Sequence, residues 1–257
     1  MMWQDRPVLV TGCTGLIGSW LCRDLVGRGA RVVGLQRDQV PRTTFVEWGL
    51  AESMILVRGD LSNLALLQRT LNEYDIDTVF HLAAQASVPY AQRDPLGTFE
   101  SNIRGTYHVL EACRRQPHVK RVIVASSDKA YGESDHLPYV ETDRLYGRYP
   151  YDVSKSCVDL LAQSYWHTYS LPVSVTRCAN MFGAGDLQWT RIVPKTIRLA
   201  LQDQAPTIRS DGGYQRDYCY VANIADAYRT LAEQISLVER PLWGEAFNFG
   251  SETPRTV

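Results

Sequence analysis

Thr11-Gly-Cys-Thr-Gly-Leu-Ile-Gly18 is the stretch on which the reading of this chain turns. It follows a short apolar run, Pro7-Val-Leu-Val10. It opens a segment in which Leu16, Ile17, Trp20, Leu21 and Leu25 recur at helical spacing until Gly27 and Gly29 stop it. Glycines at this spacing between a strand and a helix each have a physical use. Gly12 permits the tight turn, Gly15 lets backbone amides approach a pyrophosphate, and Gly18 lets the helix lie against the strand. The helix N-terminus adds partial positive charge for phosphates. Thr14, Leu16 and Ile17 complete the predicted cradle, and the stretch predicts dinucleotide binding.

Outward from this loop, Arg31-Val-Val-Gly-Leu35, Met54-Ile-Leu-Val57, Thr78-Val-Phe-His-Leu-Ala83 and Arg121-Val-Ile-Val-Ala125 are short and rich in β-branched residues. Lacking polar alternation, they read as strands buried on both faces, as in a parallel sheet. Helical patterns lie between and after them, near 16–28, 62–73, 95–116 and 149–170. The alternation predicts an α/β fold, a doubly wound parallel (Rossmann) sheet. After residue 178 the pattern loosens into a Gly-rich loop, a helix near 189–203, short strands and a helix near 222–236. Residues 1–178 are therefore assigned to the dinucleotide-binding domain. Residues 179–257 are assigned to a small C-terminal substrate cap interleaved with it.

Composition narrows the function classes. The 257 residues are 45% hydrophobic and 21% charged, and 27 Lys plus Arg against 28 Asp plus Glu leave a net charge of −1. Such a balance supplies no electrostatic attraction for nucleic acid or an anionic membrane. No apolar run approaches the ~18 residues of a membrane span, and the N-terminus lacks a signal-peptide pattern. The six cysteines are scattered without a Cys-x-x-Cys pair. No metal site, no disulfide framework and a reduced, cytoplasmic protein are expected. Lysine occurs only at 120, 129, 155 and 195, so a lysine inside a motif carries weight.

Three further sites bear on chemistry. Gln36-Arg37-Asp38 follows the second strand, where the adenine ribose is read. An acidic side chain there accepts from a 2′-hydroxyl and an arginine accommodates a 2′-phosphate, so the pattern leaves NAD and NADP both open. Asp60 and Leu61 end the third strand, where a carboxylate can accept from the adenine amine or simply cap a turn. Tyr151 and Lys155 stand one helical turn apart on one face. A phenol of pKa near ~10 is a poor base unless a neighbouring ammonium favours its phenolate.

Taken together the motifs resemble the extended short-chain dehydrogenase/reductase superfamily, in its NAD-dependent epimerase/dehydratase family. The matching residues are Thr11-Gly-x-x-Gly-x-x-Gly18, His81-Leu-Ala-Ala84, Asn102 with Gly105-Thr106, Ser126-Ser-Asp-Lys-Ala-Tyr-Gly132, Tyr151-x-x-x-Lys155, Arg177-x-x-Asn180 with Phe182-Gly183, and Arg216-Asp-Tyr218. The resemblance implies a catalytic trio of Ser127, Tyr151 and Lys155. It implies that Ala83 and Ala84, with Gln85 and Asn102, border the cofactor. It places Asn180, Arg191 and Arg216 on the sugar nucleotide, with Arg216 on the diphosphate, where an arginine fork makes a strong charge-assisted contact. Asp128 and Lys129 match the acid–base pair of the nucleotide-sugar 4,6-dehydratase branch, of the CDP-glucose 4,6-dehydratase kind.

The first expectation is thus an NDP-hexose 4,6-dehydratase with a tightly bound, recycled NAD, or NADP. A 4-epimerase of the same family is the second, and a non-catalytic dinucleotide-binding sensor the third. Relatives pair through two helices, which makes 95–116 and 149–170 candidates for a homodimer interface. Relatives also continue beyond the position equivalent to Val257, which makes the cap apparently truncated.

Overall fold

Alternate residues of the first strand face opposite ways into two apolar layers, and this sandwich explains the uninterrupted hydrophobic runs. The computed structural model of the chain describes residues 2–134, 136–208, 210–235 and 242–256. In chain order the first half holds β1 (Pro7–Thr11), α1 (Leu16–Gly27), β2 (Arg31–Gln36), α2 (Thr44–Glu47), β3 (Ile55–Arg58), α3 (Leu64–Glu73) and β4 (Thr78–His81). Next come α4 (Val88–Arg93), α5 (Pro95–Phe99), α6 (Gly105–Arg114), β5 (Arg121–Ala125), α7 (Pro150–Tyr169) and β6 (Val173–Cys178). The remainder holds β7 (Asn180–Phe182), α8 (Ile192–Ala200), β8 (Gln215–Arg216), β9 (Tyr218–Tyr220), α9 (Val221–Gln234), β10 (Ala246–Phe249) and β11 (Arg255–Thr256). The predicted ends at 236 and 257 lie outside the described residues.

Seven strands form one parallel sheet in the order β10-β6-β5-β4-β1-β2-β3. Val8, Val10, Phe80 and Ile123 pack on one side with Leu21 and Leu25 of α1 and Ile224, Tyr228 and Leu231 of α9. Leu9, Val79, Val122 and Val124 pack on the other with Leu67, Leu110 and Val158 of α3, α6 and α7. Burial of this kind contributes roughly 25 cal/mol per Å² of apolar surface. The doubly wound parallel sheet expected from the strand–helix alternation is therefore the observed architecture.

Two features depart from the expected element pattern. The helix anticipated over 95–116 is divided: a π-helical stretch, Glu100–Arg104, separates α5 from α6. Such stretches mark places where a helix admits an extra residue, often near functional sites. The chain after 178 also returns to the core. Helix α9 covers one face beside α1, and β10 adds to the sheet next to β6, with Asn248 opposite Arg177. β7 and β9 pair separately, as do β8 and β11.

The chain order reverses between β1 and β4, the switch point where a crevice opens at the carboxyl ends of parallel strands. Among the described residues no helix is long and apolar enough to cross a membrane. No group of three His, Cys, Asp or Glu residues in them is placed to hold a metal.

Candidate active site

At the switch point the first glycine is enforced twice. Gly12 has φ +72, and a Cβ there would lie 2.7 Å from the backbone N of Ala83, just after β4. A Cβ on Gly18 would meet Gly12 O, which is how α1 approaches the loop so closely. Gly15 differs: its nearest neighbour would be Gly12 O at 3.3 Å, with otherwise open space. The cleft above it is lined by Gly12, Thr14, Gly15, Arg37, Asp38, Asp60, Leu61, Ala83 and Ala84. Leu16, Ile17 and Gly18 form the first turn of α1 behind it. A helix start with an open backbone face, extended by small Ala83 and Ala84, fits a dinucleotide.

The ribose corner carries more negative than positive charge. Arg37 Nε donates to Asp38 Oδ2 at 2.6 Å and lies 4.0 Å from Asp60 Oδ2. Burial pushes Asp60 upward, but hydrogen bonding from Ser62 and the Arg37 charge outweigh it and hold the carboxyl below its usual range. One guanidinium shared between two carboxylates leaves little attraction for a 2′-phosphate.

Beneath the cleft a chain of hydrogen bonds fixes the loop after β4. Thr106 Oγ1 donates to Asn102 O at 2.6 Å, leaving it to accept from His81 Nε2 at 2.9 Å. His81 Nδ1 then accepts from Thr11 Oγ1 at 2.8 Å, and Thr11 Oγ1 accepts from Ala83 N at 3.2 Å. Burial, with the Lys155 charge adding to it, pushes His81 down to about 3, so the ring is neutral, as this chain of donors requires. Gln85 and Asn102 do not line the cleft; they hold one another. Asn102 Oδ1 accepts from Gln85 N at 2.7 Å, and its amide donates to Gln85 O and to Ser154 Oγ at 3.0 and 2.9 Å. The π-helical stretch thus presents Asn102 to both the loop and α7.

A second cleft gathers Ser127, Asp128, Lys129, Tyr151, Asn180 and Arg191. Ser127 caps the single turn Asp128–Tyr131, accepting from Lys129 N at 3.2 Å while its hydroxyl donates to Asp128 Oδ1 at 2.9 Å. Tyr151 comes from the first turn of α7, where Pro150 starts the helix. Burial, and then the charge of Asp128, push its phenol up to about 12 against the pull of Ser127 and Arg191. Lys155 is buried and donates to Ala125 O at 2.8 Å, and burial drives it down to about 8. For both groups burial is the largest influence, raising the phenol and lowering the ammonium.

Arg191 is held by Asp186, at 3.3 Å. Arg216 stands apart on the β8–β11 ribbon, exposed and lying against Tyr214 rather than lining the cleft. Sequence reasoning missed Ser87 and Gln188, whose Nε2 donates to Ser87 Oγ across the cleft at 3.2 Å. It also missed Asp186, for which the Gly183-x-Gly185 loop was the only signal.

The family description "NAD dependent epimerase/dehydratase family" matches residues 8–250. The chain is 30% identical to the CDP-glucose 4,6-dehydratase of Salmonella typhimurium, over 99% of this chain and 74% of that protein. Among solved structures it is similar to the UDP-N-acetylglucosamine 4-epimerase from Methanobrevibacter ruminantium in complex with UDP-N-acetylmuramic acid, at TM-score 0.87 and 29% identity. That match covers 99% of this chain and 79% of the other. The dTDP-glucose 4,6-dehydratase from Bacillus anthracis in complex with NAD matches at TM-score 0.84 and 25% identity, covering 98% and 77%.

Proposed function

The chain belongs to the NAD dependent epimerase/dehydratase family, and from that premise we propose that it is an NAD-dependent NDP-hexose 4,6-dehydratase, forming an NDP-4-keto-6-deoxyhexose. The observation that carries the reading is that Asp128 and Lys129 line the same cleft as Ser127 and Tyr151. Removing water from C5 and C6 needs an acid and a base beyond those used to oxidise C4. The paired Arg37 and the excess of carboxylate at the ribose corner favour NAD over NADP.

When bound, the cofactor would supply reversible hydride chemistry for oxidation at C4 and reduction at C6. Tyr151 takes the 4-hydroxyl proton, and Ser127 hydrogen-bonds the same oxygen. A phenol pushed up by burial needs cationic charge close by to act as a base, a role we assign to Lys155, one helical turn along α7. Lys155 holds the cofactor's ribose. Once C4 is a carbonyl the C5 proton is acidic; Lys129 removes it while Asp128 protonates the departing 6-hydroxyl, and Lys129 returns the proton to C5 as C6 is reduced. Gly12, Thr14, Gly15, Ala83 and Ala84 cradle the dinucleotide, and Asn180 and Arg191 meet the sugar nucleotide.

We assign residues 1–178 to cofactor binding and 179–257 to the substrate side, with α9 and β10 threaded back into the core. The scattered, unpaired cysteines accord with a cytoplasmic location. Exposed Tyr107 on α6 and Leu160 on α7 supply a homodimer contact.

The test separates two halves of the reaction. Asp128→Asn and Lys129→Met should each slow elimination roughly 10²–10⁴-fold while sparing the first hydride transfer. On addition of sugar nucleotide, enzyme-bound reduced nicotinamide should accumulate, seen by near-ultraviolet absorbance, without 6-deoxy product by mass spectrometry. Wild-type turnover by both variants would move the 4-epimerase reading, favoured by the similarity to a solved 4-epimerase, into first place.

A further inference from the structure

Arg177, 3% exposed in β6, is the meeting point of three distant parts of the chain. Its Nε and Nη2 donate to the two carboxylate oxygens of Asp159 at 2.7 and 3.0 Å. Its Nη1 donates to the Tyr131 hydroxyl at 2.7 Å and to Glu141 O at 2.9 Å. Asp159 lies on α7, one turn beyond Lys155 and two beyond Tyr151, and is fully buried. Tyr131 closes the short turn that carries Asp128 and Lys129.

The turn is braced from its other side as well. The Tyr131 hydroxyl donates to Asn248 Oδ1 on β10 at 2.7 Å, and Asn248 Nδ2 donates to Tyr139 O at 3.1 Å. The Tyr139 ring stacks on Tyr131 at 4.7 Å, and its hydroxyl donates to Gly132 O at 2.7 Å. Neither Arg177 nor Tyr131 lines either cleft.

A guanidinium is planar, with donors in fixed directions. Satisfying a carboxylate on one edge and a phenol on the other sets both the distance and the angle between α7 and the turn. We propose that Arg177, acting through Tyr131, is the positioning residue that keeps Asp128 and Lys129 in register with Tyr151 and Lys155, so that elimination follows oxidation in one bound pose. The inference rests on the dehydratase reading above.

Tyr131→Phe tests it with little risk to folding. Arg177 keeps Asp159 and Glu141 O, the stacked ring remains, and Ser156 Oγ still donates to Ala130 O at 2.9 Å. What is lost is the hydroxyl, with its hydrogen bond from Arg177 and its hydrogen bond to Asn248 Oδ1, while Asn248 still donates to Tyr139 O. With wild-type protein, NAD and an NDP-hexose, the assay follows bound reduced nicotinamide, 4-keto-6-deoxy product and KM. The expected result is a roughly 10–100-fold fall in elimination, reduced nicotinamide accumulating on the enzyme, and formation of that species and KM within about threefold of wild type. Arg177→Lys should shift the partition the same way, with a lower Tm. Wild-type partition in Tyr131→Phe overturns the inference, and so does an equal fall in both half-reactions, which marks a merely structural role. A wild type that yields only an epimer of unchanged mass overturns the dehydratase reading, and the inference with it.

Discussion

At the scale of the residue, the three glycines of the first loop are not equivalent. Gly12 and Gly18 are excluded from carrying a side chain by the protein's own backbone, whereas at Gly15 a Cβ meets only Gly12 O at 3.3 Å. Gly15 also has an extended backbone, φ −77, that other residues adopt readily. Gly15→Val should therefore fold with a Tm close to wild type and lose NAD. The expected rise in Kd is on the order of 100-fold, since branched carbon occupies the place of the pyrophosphate and its amide hydrogen bonds. Titration by calorimetry alongside a thermal melt checks both halves. Retained stoichiometric NAD would remove the phosphate role from this loop. The glycine spacing was legible in the sequence; that only the middle one faces open space was not, because it depends on where Ala83 lies.

At the scale of the element, α7 serves both chemistry and cohesion. Its first turns present Tyr151 and Lys155, and its middle turn presents Asp159 to Arg177 in a pair 0% and 3% exposed. A buried pair of this kind adds little beyond an apolar replacement, but removing one member strands the other. Asp159→Ala should destabilise the protein by about 3–5 kcal/mol, and Asp159→Asn by less, since its amide oxygen still accepts from Arg177. Denaturant midpoints at constant m-value would measure this, and a loss under about 1 kcal/mol would show the guanidinium satisfied elsewhere. The helix itself was legible over 149–170 from its apolar spacing. Its partner was not, because Arg177 and Asp159 are eighteen residues apart in different elements. The division of the helix over 95–116 was equally hidden. Asn102 is drawn out of the regular pattern by Gln85 and Ser154, which lie outside that helix.

At the scale of the whole molecule, α6 and α7 stand side by side on one face of the sheet and leave Tyr107 and Leu160 37% and 56% exposed. The proposed homodimer covers this face with the same helices of a second copy, since a two-fold contact must be self-complementary. Leu160→Arg should shift the sedimentation coefficient from dimer to monomer without lowering the unfolding free energy of the monomeric fold by more than about 0.5 kcal/mol, as for other exposed substitutions. An unchanged sedimentation profile would place the contact elsewhere.

The sequence by itself determined the core strands, the glycine loop between β1 and α1, the Tyr151–Lys155 face and the position of Asp128 and Lys129 beside Ser127. These are short-range matters: strand burial, turn geometry and helical periodicity are set by residues within a few positions of one another. The tertiary structure alone decided that β10 joins the sheet beside β6, and that Arg216 stands apart from the cleft while Asp186 holds Arg191 within it. It also brought Tyr131, Glu141 and Asp159 onto Arg177. The reason is that burying a charge or a polar group obliges it to find partners in three dimensions, and those partners come from other elements and loops, where no local pattern announces them.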